Sequence, residues 1–171
     1  MSTSQHDVLW MLELMADLGA TPVVAGGWGV DALVGHQTRQ HRDLDVLIPD
    51  PFVAPLVDAL VEASFAITTD WLPVRVELTD ASADRHIDIH PAFDDGRQGW
   101  WQHGFDGERF ETPREALADG MISDRVVRCV SAAKQIELHQ FSPLRPEDLH
   151  DIALLHRIVD HRLNPTDQLE R

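Results

Sequence analysis

Apolar and polar positions alternate along Asp43-Leu44-Asp45-Val46-Leu47-Ile48 and again along Arg85-His86-Ile87-Asp88-Ile89-His90, and a period of two predicts strands with one face in a core. In the first run Leu44 and Val46 point inward while Asp43 and Asp45 project together from the other side. In the second, Ile87 and Ile89 point inward and His86, Asp88 and His90 share the opposite face. Further short strands are predicted over residues 22–25, 65–68 and 73–78. Helical signals fall between and after them. Ser4 caps a helix to about residue 18 with Gly19 as its stop, Val30 to Val34 is a brief helix closed by Gly35, and Asp50-Pro51 opens a helix to about Ala63. Ser131 caps another to about Phe141, and Pro146 opens a last one to about His161. Residues 94–99 are rich in turn formers, residues 100–120 mix turn and aromatic signals without a clear period, and the tail after Asn164-Pro165 is expected to fray. Strands grouped early and helices late predict an α+β fold with a helical C-terminal end.

The placement of the acids gives this pattern its chemistry. Two carboxylates in one small volume repel each other unless a cation lies between them, and hard oxygen donors suit Mg²⁺, which binds through one or two carboxylates plus substrate phosphates. Upstream, Gly26-Gly27 follows a strand and lacks Cβ atoms, so the backbone can approach a triphosphate and aim N–H groups at it, with a helix N-terminus alongside. If the strand of Asp88 lies beside that of Asp45, three aspartates converge. Arg39 and Arg42 precede the pair closely enough to contact a triphosphate, surface ion pairing being their plainer use, and alternation with Asp43 can turn Arg42 away.

Plainer readings compete. An Asp-x-Asp pair alone can be a solvated strand edge. Gly27-x-Gly29-x-x-Ala32 satisfies a dinucleotide fingerprint, although that site expects a longer helix and an acid at the end of the next strand rather than within it. His86 and His90 around Asp88 have the chemistry of zinc ligands, without a convincing fourth. Glu147 and Asp148 suit a helix N-terminus, and Trp100 and Trp101 fit either core packing or an acceptor site.

The run Gly26-Gly27-Trp28-Gly29-Val30-Asp31, continued by Gly35-His36-Gln37-Thr38-Arg39-Gln40-His41-Arg42-Asp43-Leu44-Asp45, resembles the polymerase-β-type nucleotidyltransferases that inactivate antibiotics, most of all the small lincosamide nucleotidyltransferases. Residues 70–78, 87–91 and 127–131, then Gln135, His139 and His150-Asp151-Ile152, resemble segments of that family in the same order. The resemblance implies a small mixed β-sheet core and one nucleotidyltransferase domain over 1–171, with a catalytic sheet in about 1–92 and an acceptor-side, helical part in about 93–163. It also implies Mg²⁺ on Asp43 and Asp45, the triphosphate of ATP on the glycine turn, and AMP passing to a hydroxyl of the drug with release of pyrophosphate. Asp88 is the candidate base or a third metal ligand, His90, Gln135 and His139 fall on the substrate side, and Asp151 is structural or substrate-side. Two departures touch the acceptor part: Gln140-Phe141-Ser142 replaces the family's usual Gly-Tyr, and Lys134 stands where an acid is usual. An aminoglycoside acceptor, a protein acceptor of the antitoxin type and an inert nucleotide-binding domain are the alternatives. The three acids favour an enzyme, and the C-terminal match favours a drug.

Composition narrows the partners. With 14 Lys and Arg against 29 Asp and Glu, a formal net charge of -15 disfavours nucleic acid and suits a small cationic acceptor, while ATP is the partner implied by the glycine turn and the resemblance. The start of the chain lacks the basic and apolar regions of a signal peptide, and no apolar run is long enough for a bilayer, so cytoplasmic residence without membrane contact is expected. A homodimer is left open. Cys129, in Val126-Val127-Arg128-Cys129-Val130, is expected to be a buried strand residue.

Overall fold

A computed structural model of the chain describes residues 2–141 and 143–163, so the expectations for Ser142 and for the tail after Asn164-Pro165 fall outside it. In chain order the elements are α1 (Gln5–Asp17), β1 (Val23–Val24), α2 (Gly26–Val34), β2 (Leu44–Pro49), α3 (Val53–Glu62), β3 (Ala66–Trp71), β4 (Arg75–Asp80), β5 (Arg85–Asp94), β6 (Trp100–His103), β7 (Arg109–Thr112), β8 (Leu117–Ile122), β9 (Arg125–Val130), α4 (Ala132–Leu138) and α5 (Pro146–Leu163). The fold is α+β. Its main sheet runs β3-β4-β5-β2-β1-β9-β8, with β6 and β7 as a hairpin on the far end of β5. β2 pairs parallel with β5 and β1 parallel with β9, while the other pairs are antiparallel. This mixed order is not the parallel doubly wound sheet of a dinucleotide fold.

The parallel β2–β5 ladder sets Asp45 opposite Asp88. One face of the sheet carries Leu44, Val46, Ile48, Val76, Leu78, Ile87 and Ile89, buried against Val8, Met11 and Met15 of α1 and Leu56 and Leu60 of α3. Each such side chain contributes about 1.5–3 kcal/mol through burial, so this face fixes the register of β2 and β5. A slip of one residue would turn both aspartates into the core. The other face is covered more thinly, by Val23, Leu47, Ala92 and Val130 with Trp100 against them. α2 crosses close to β8, where a Cβ on Gly120 would lie 2.6 Å from the Ala32 carbonyl carbon and oxygen. Val30, Ala132 and Leu155 join α2 to α4 and α5.

Several expectations shift. α2 begins at Gly26, not Val30, so the two glycines form its first turn rather than a turn before it; Gly35, left-handed at φ 89°, closes it as expected. The helix opened by Asp50-Pro51 starts with one tight turn over Asp50–Phe52. Ser4 caps α1 through a reciprocal pair of bonds with Asp7, the stop at Gly19 holds, and Cys129 is fully buried in β9. Residues 100–120, without an assignment in the pattern, contain β6, β7 and most of β8. Strands are therefore not confined to the early part, because β8 and β9 join the same sheet from its C-terminal side. Among the described residues no helix is long and apolar enough to cross a membrane.

Candidate functional site

On the thinly covered face, β2 and β5 bring Asp45, Asp88 and His90 together, with one ligand atom from each within 4.8 Å of the others; among the described residues this is the single group of three with that spacing. Asp88 is fixed from one side: Arg75 Nη1, on the neighbouring β4, donates to its Oδ2 at 2.5 Å and also lies 2.9 Å from Glu77 Oε1. Its other oxygen, Oδ1, is buried, accepts no hydrogen bond and stands 3.6 Å from His90 Nε2. A buried carboxylate oxygen without a donor is costly, and a cation or a proton relieves it.

The electrostatics point the same way. Burial, then the charges of Asp43 and Asp88, push the pKa of Asp45 up to about 8, against the weaker pull of Arg42 and Arg75. Burial also holds Asp88 above the ordinary aspartate range, although His90 and Arg75 draw it back. The same desolvation lowers the pKa of His90 despite the nearby Asp88, which favours a neutral imidazole with a free lone pair.

Gly26 makes this geometry possible. Its φ is +56°, and a Cβ there would collide with Asp45 Oδ2, so the carboxylate lies against the first turn of α2 only because position 26 has no side chain. A Cβ on Gly27 would collide with the His41 ring and approach Arg39 Nη2 to 2.7 Å. The N-terminus of α2, with its unpaired N–H groups, thus opens beside the acids.

The remaining residues singled out in the sequence divide between this cluster and its surroundings. Asp43 lies just before β2 rather than in it and is close enough to raise the pKa of Asp45, but its carboxylate is ion-paired with the guanidinium of Arg42, whose side chain is 65% exposed. Arg39 is clamped to Asp151 of α5, with Nε 2.9 Å from Oδ1, and this bond raises its pKa. Gln135 is buried away from the acids: its Nε2 donates to the Val130 carbonyl at 3.1 Å and packs over Gly29. His139 sits 3.8 Å from Asp148, which itself caps α5 by accepting from the Arg145 N–H at 2.8 Å. His86 bonds Thr79 Oγ1 at 3.1 Å rather than joining His90. Trp101 stacks on Phe93 at 4.6 Å, so both tryptophans of that pair are packing residues.

Two features escape a reading of the sequence alone. Arg75 has only its alternation with Glu77 and Thr79 to mark it, a polar stripe on one face of β4. The buried pair of Asp31 and His41 is the other. Asp31 Oδ1 also accepts from Thr38 N at 3.0 Å and Thr38 Oγ1 at 2.6 Å, locking the loop before β2 to α2. An acid inside the apolar run Val30-Asp31-Ala32 was the available signal.

The sequence profile of the aminoglycoside-2''-adenylyltransferase family matches residues 7–155. The lincosamide resistance protein of Staphylococcus haemolyticus is 28% identical over 160 residues, which cover 92% of this chain and 98% of that protein. A 2''-aminoglycoside nucleotidyltransferase of Klebsiella pneumoniae is 30% identical over 135 residues, 77% of this chain and 70% of that protein. Among solved structures, the lincomycin-bound lincosamide antibiotic adenylyltransferase LnuA superposes with a TM-score of 0.83 at 27% identity, covering 92% of this chain and 99% of the other. The structure of ANT(2'')-Ia in complex with adenylyl-2''-tobramycin shares the fold, with a TM-score of 0.66 at 18% identity over 93% of this chain and 94% of the other.

Proposed function

This chain belongs to the aminoglycoside-2''-adenylyltransferase family, a nucleotidyltransferase among enzymes that modify antibiotics, and from that premise we propose that it transfers AMP from ATP to a hydroxyl of a lincosamide. The acceptor oxygen bonds to the α-phosphorus, the bridging bond to the β-phosphate breaks, pyrophosphate leaves, and the hydroxyl proton passes to a protein carboxylate. The observation that carries this reading is the Asp45–Asp88–His90 cluster, with the unpartnered Asp88 Oδ1 inside it, at the open N-terminus of α2.

The donor set fits a divalent cation: two carboxylates whose charge is costly without one, and a third acid, Asp43, held meanwhile by Arg42. Asp43, Asp45 and Asp88 are the residues to hold Mg²⁺, with His90 at the rim. Such an ion neutralises triphosphate charge and orients the leaving group. Asp88 is the base. Arg75 fixes its Oδ2 and leaves Oδ1 facing the cluster, and burial keeps its proton affinity above that of a solvated aspartate. Gly26 and Gly27 bring the first turn of α2 against Asp45 and His41, so that its N–H groups lie beside the acids and would take the phosphates there, with Arg42 as the exposed guanidinium on Asp43. Arg39, tied to Asp151, positions the loop before β2 against α5. The helical part, with Gln135 and His139, supports the acceptor side within one domain.

The 30% identity to the Klebsiella enzyme favours an aminoglycoside as the second reading. Incubation with ATP, Mg²⁺ and either lincomycin or tobramycin, followed by mass spectrometry, tests both. The expected result is one added AMP on lincomycin and release of pyrophosphate. Adenylylation of tobramycin alone would replace the lincosamide assignment, and modification of neither would overturn both.

A further inference from the structure

Next to Asp88 the protein exposes large aromatic surface. Trp71, the last residue of β3, is 50% exposed, Leu72 beside it 49%, and Phe105, at the tip of the β6–β7 hairpin, 64%. The two rings meet edge to face, with centroids 5.3 Å apart and planes at 77°, although they are more than 30 residues apart in the chain. Solvent-exposed apolar groups held in contact from two separate hairpins are uncommon away from binding surfaces.

Their position relative to the acids follows from strand register. Trp71 pairs with Arg75 across β3 and β4, and Glu77, on the same face of β4 as Arg75, pairs with Asp88 on β5. Trp71 therefore lies on the face that carries Asp88. The link is continuous: the Arg75 guanidinium carbon stands 4.7 Å from the centroid of the Trp71 ring, while its Nη1 holds Asp88 Oδ2 at 2.5 Å. One guanidinium thus ties the aromatic pair to the carboxylate. Because Arg75 is matched by Asp88 and Glu77, it leaves no net positive charge there. Asp106 and Glu108 follow Phe105 in the β6–β7 turn, and Glu77 stands beside Arg75.

We propose that Trp71 and Phe105 form the apolar wall of the acceptor site, against which the ring face of a small cationic amphiphile packs while its hydroxyl reaches Asp88; this rests on the nucleotidyl-transfer reading given above. An apolar wall with an acidic border suits a molecule carrying both a hydrocarbon face and a protonated amine. A triphosphate would be repelled from it. The wall therefore separates acceptor from donor: ATP lies toward the N-terminus of α2, and the acceptor toward β3 and the hairpin.

Calorimetric titration of lincomycin, of tobramycin and of Mg²⁺–ATP, each into the wild type, Trp71→Ala, Trp71→Phe and Phe105→Ala, tests this. One of the two drugs should bind the wild type. Trp71→Ala should then weaken that drug by about tenfold or more and Phe105→Ala by a few-fold, as expected for loss of a well-packed aromatic contact. Trp71→Phe should recover most of the affinity. Mg²⁺–ATP should bind all four proteins within about twofold, which a folding defect would not allow. Drug affinity unchanged in both alanine variants, or no binding of either drug to the wild type, would overturn the proposal. So would a dimer by light scattering that dissociates in Trp71→Ala while drug affinity holds, because the pair would then be a contact between two copies. The two ideas fail separately. A wild type that binds drug through this wall but transfers no AMP refutes the reaction and keeps the wall, whereas transfer with undiminished drug affinity in the variants keeps the reaction and refutes the wall.

Discussion

Asp80, at the end of β4, and Asp45, in β2, are both aspartates drawn into the same sheet, and they meet opposite surroundings. The Asp80 carboxylate accepts from Ser82 Oγ at 2.6 Å, Ser82 N at 2.9 Å and Arg85 Nε at 3.2 Å, and these partners, Ser82 first, hold its pKa down to about 2. Arg85 in turn lies over the rings of Trp10 and Phe65, at 4.6 and 4.9 Å. Asp45 has other carboxylates for neighbours and a pKa pushed up to about 8. A fully paired carboxylate steadies the fold, while a crowded one burdens it until a cation or a proton arrives. The same residue type in the same sheet is thus satisfied at one place and left in need of a cation or a proton at another, and its partners decide which.

The largest effect should come from removing the crowded acid. Asp45→Asn is expected to lower AMP transfer by about 10³-fold or more, since it takes a charge from the place where phosphate charge is neutralised. Circular dichroism should stay close to wild type. Asp43→Asn should act in the same direction, and transfer within a few-fold of wild type in both variants would end the assignment of this pair to the cation.

Asp88→Asn comes next. If Asp88 takes the acceptor proton, kcat should fall by about 10²-fold or more while Mg²⁺–ATP binding changes far less. Equal losses in both would make Asp88 chiefly a ligand. An unchanged kcat would remove it from proton transfer and leave His90, 3.6 Å away, as the next group to test.

The paired acid supplies the counter-experiment. Asp80→Asn should lower the thermal midpoint, because Arg85 and Ser82 lose an ionised partner, yet leave the transfer rate within about twofold of wild type. Lost activity with an unaltered melting curve would erase the distinction between the two sites.

How far the sequence announces this contrast depends on the range of each interaction. The alternation along residues 43–48 and 85–90 marks Asp43, Asp45 and Asp88 as residues of one face opposite the core, since period-two patterning is local. Capping at Ser4, Gly35 and Ser131 is local too, and legible. The Asp45–Asp88 register joins residues 43 positions apart through a parallel ladder, so only family resemblance suggests it beforehand. The grip of Arg75 on Asp88 and the meeting of Trp71 with Phe105 are likewise products of strand order. The β6–β7 hairpin stays hidden because Trp100 to His103 has no clean alternation: all four residues are half-buried. Gly26-Gly27 shows the opposite error. Its glycines suggest a loop, yet they open a helix, because what they accommodate is the close approach of Asp45 and His41 rather than a turn.

The smallest effect lies in the pH profile of stability and separates the two aspartates by sign. Asp45 has a folded pKa of about 8 against an ordinary 3.8, so the folded state holds this proton more tightly than the unfolded chain. With a chelator present, its contribution is favourable in acid and is lost as pH rises from about 4 toward 8, at a slope of at most about 1.4 kcal/mol per pH unit for one proton. Asp80 runs the other way: with its pKa lowered from 3.8 to about 2, its contribution is present above pH 4 and disappears as pH falls through 2. Urea unfolding at a series of pH values should therefore show Asp45→Asn gaining on the wild type steadily between pH 4 and 8, while Asp80→Asn loses its deficit only in strong acid. Adding Mg²⁺ should flatten the wild-type slope above neutral pH by taking the place of the proton, and leave the slope of Asp45→Asn unaltered. Parallel curves for Asp45→Asn and the wild type would mean that Asp45 is as well satisfied as Asp80, and the contrast between the two sites would fall.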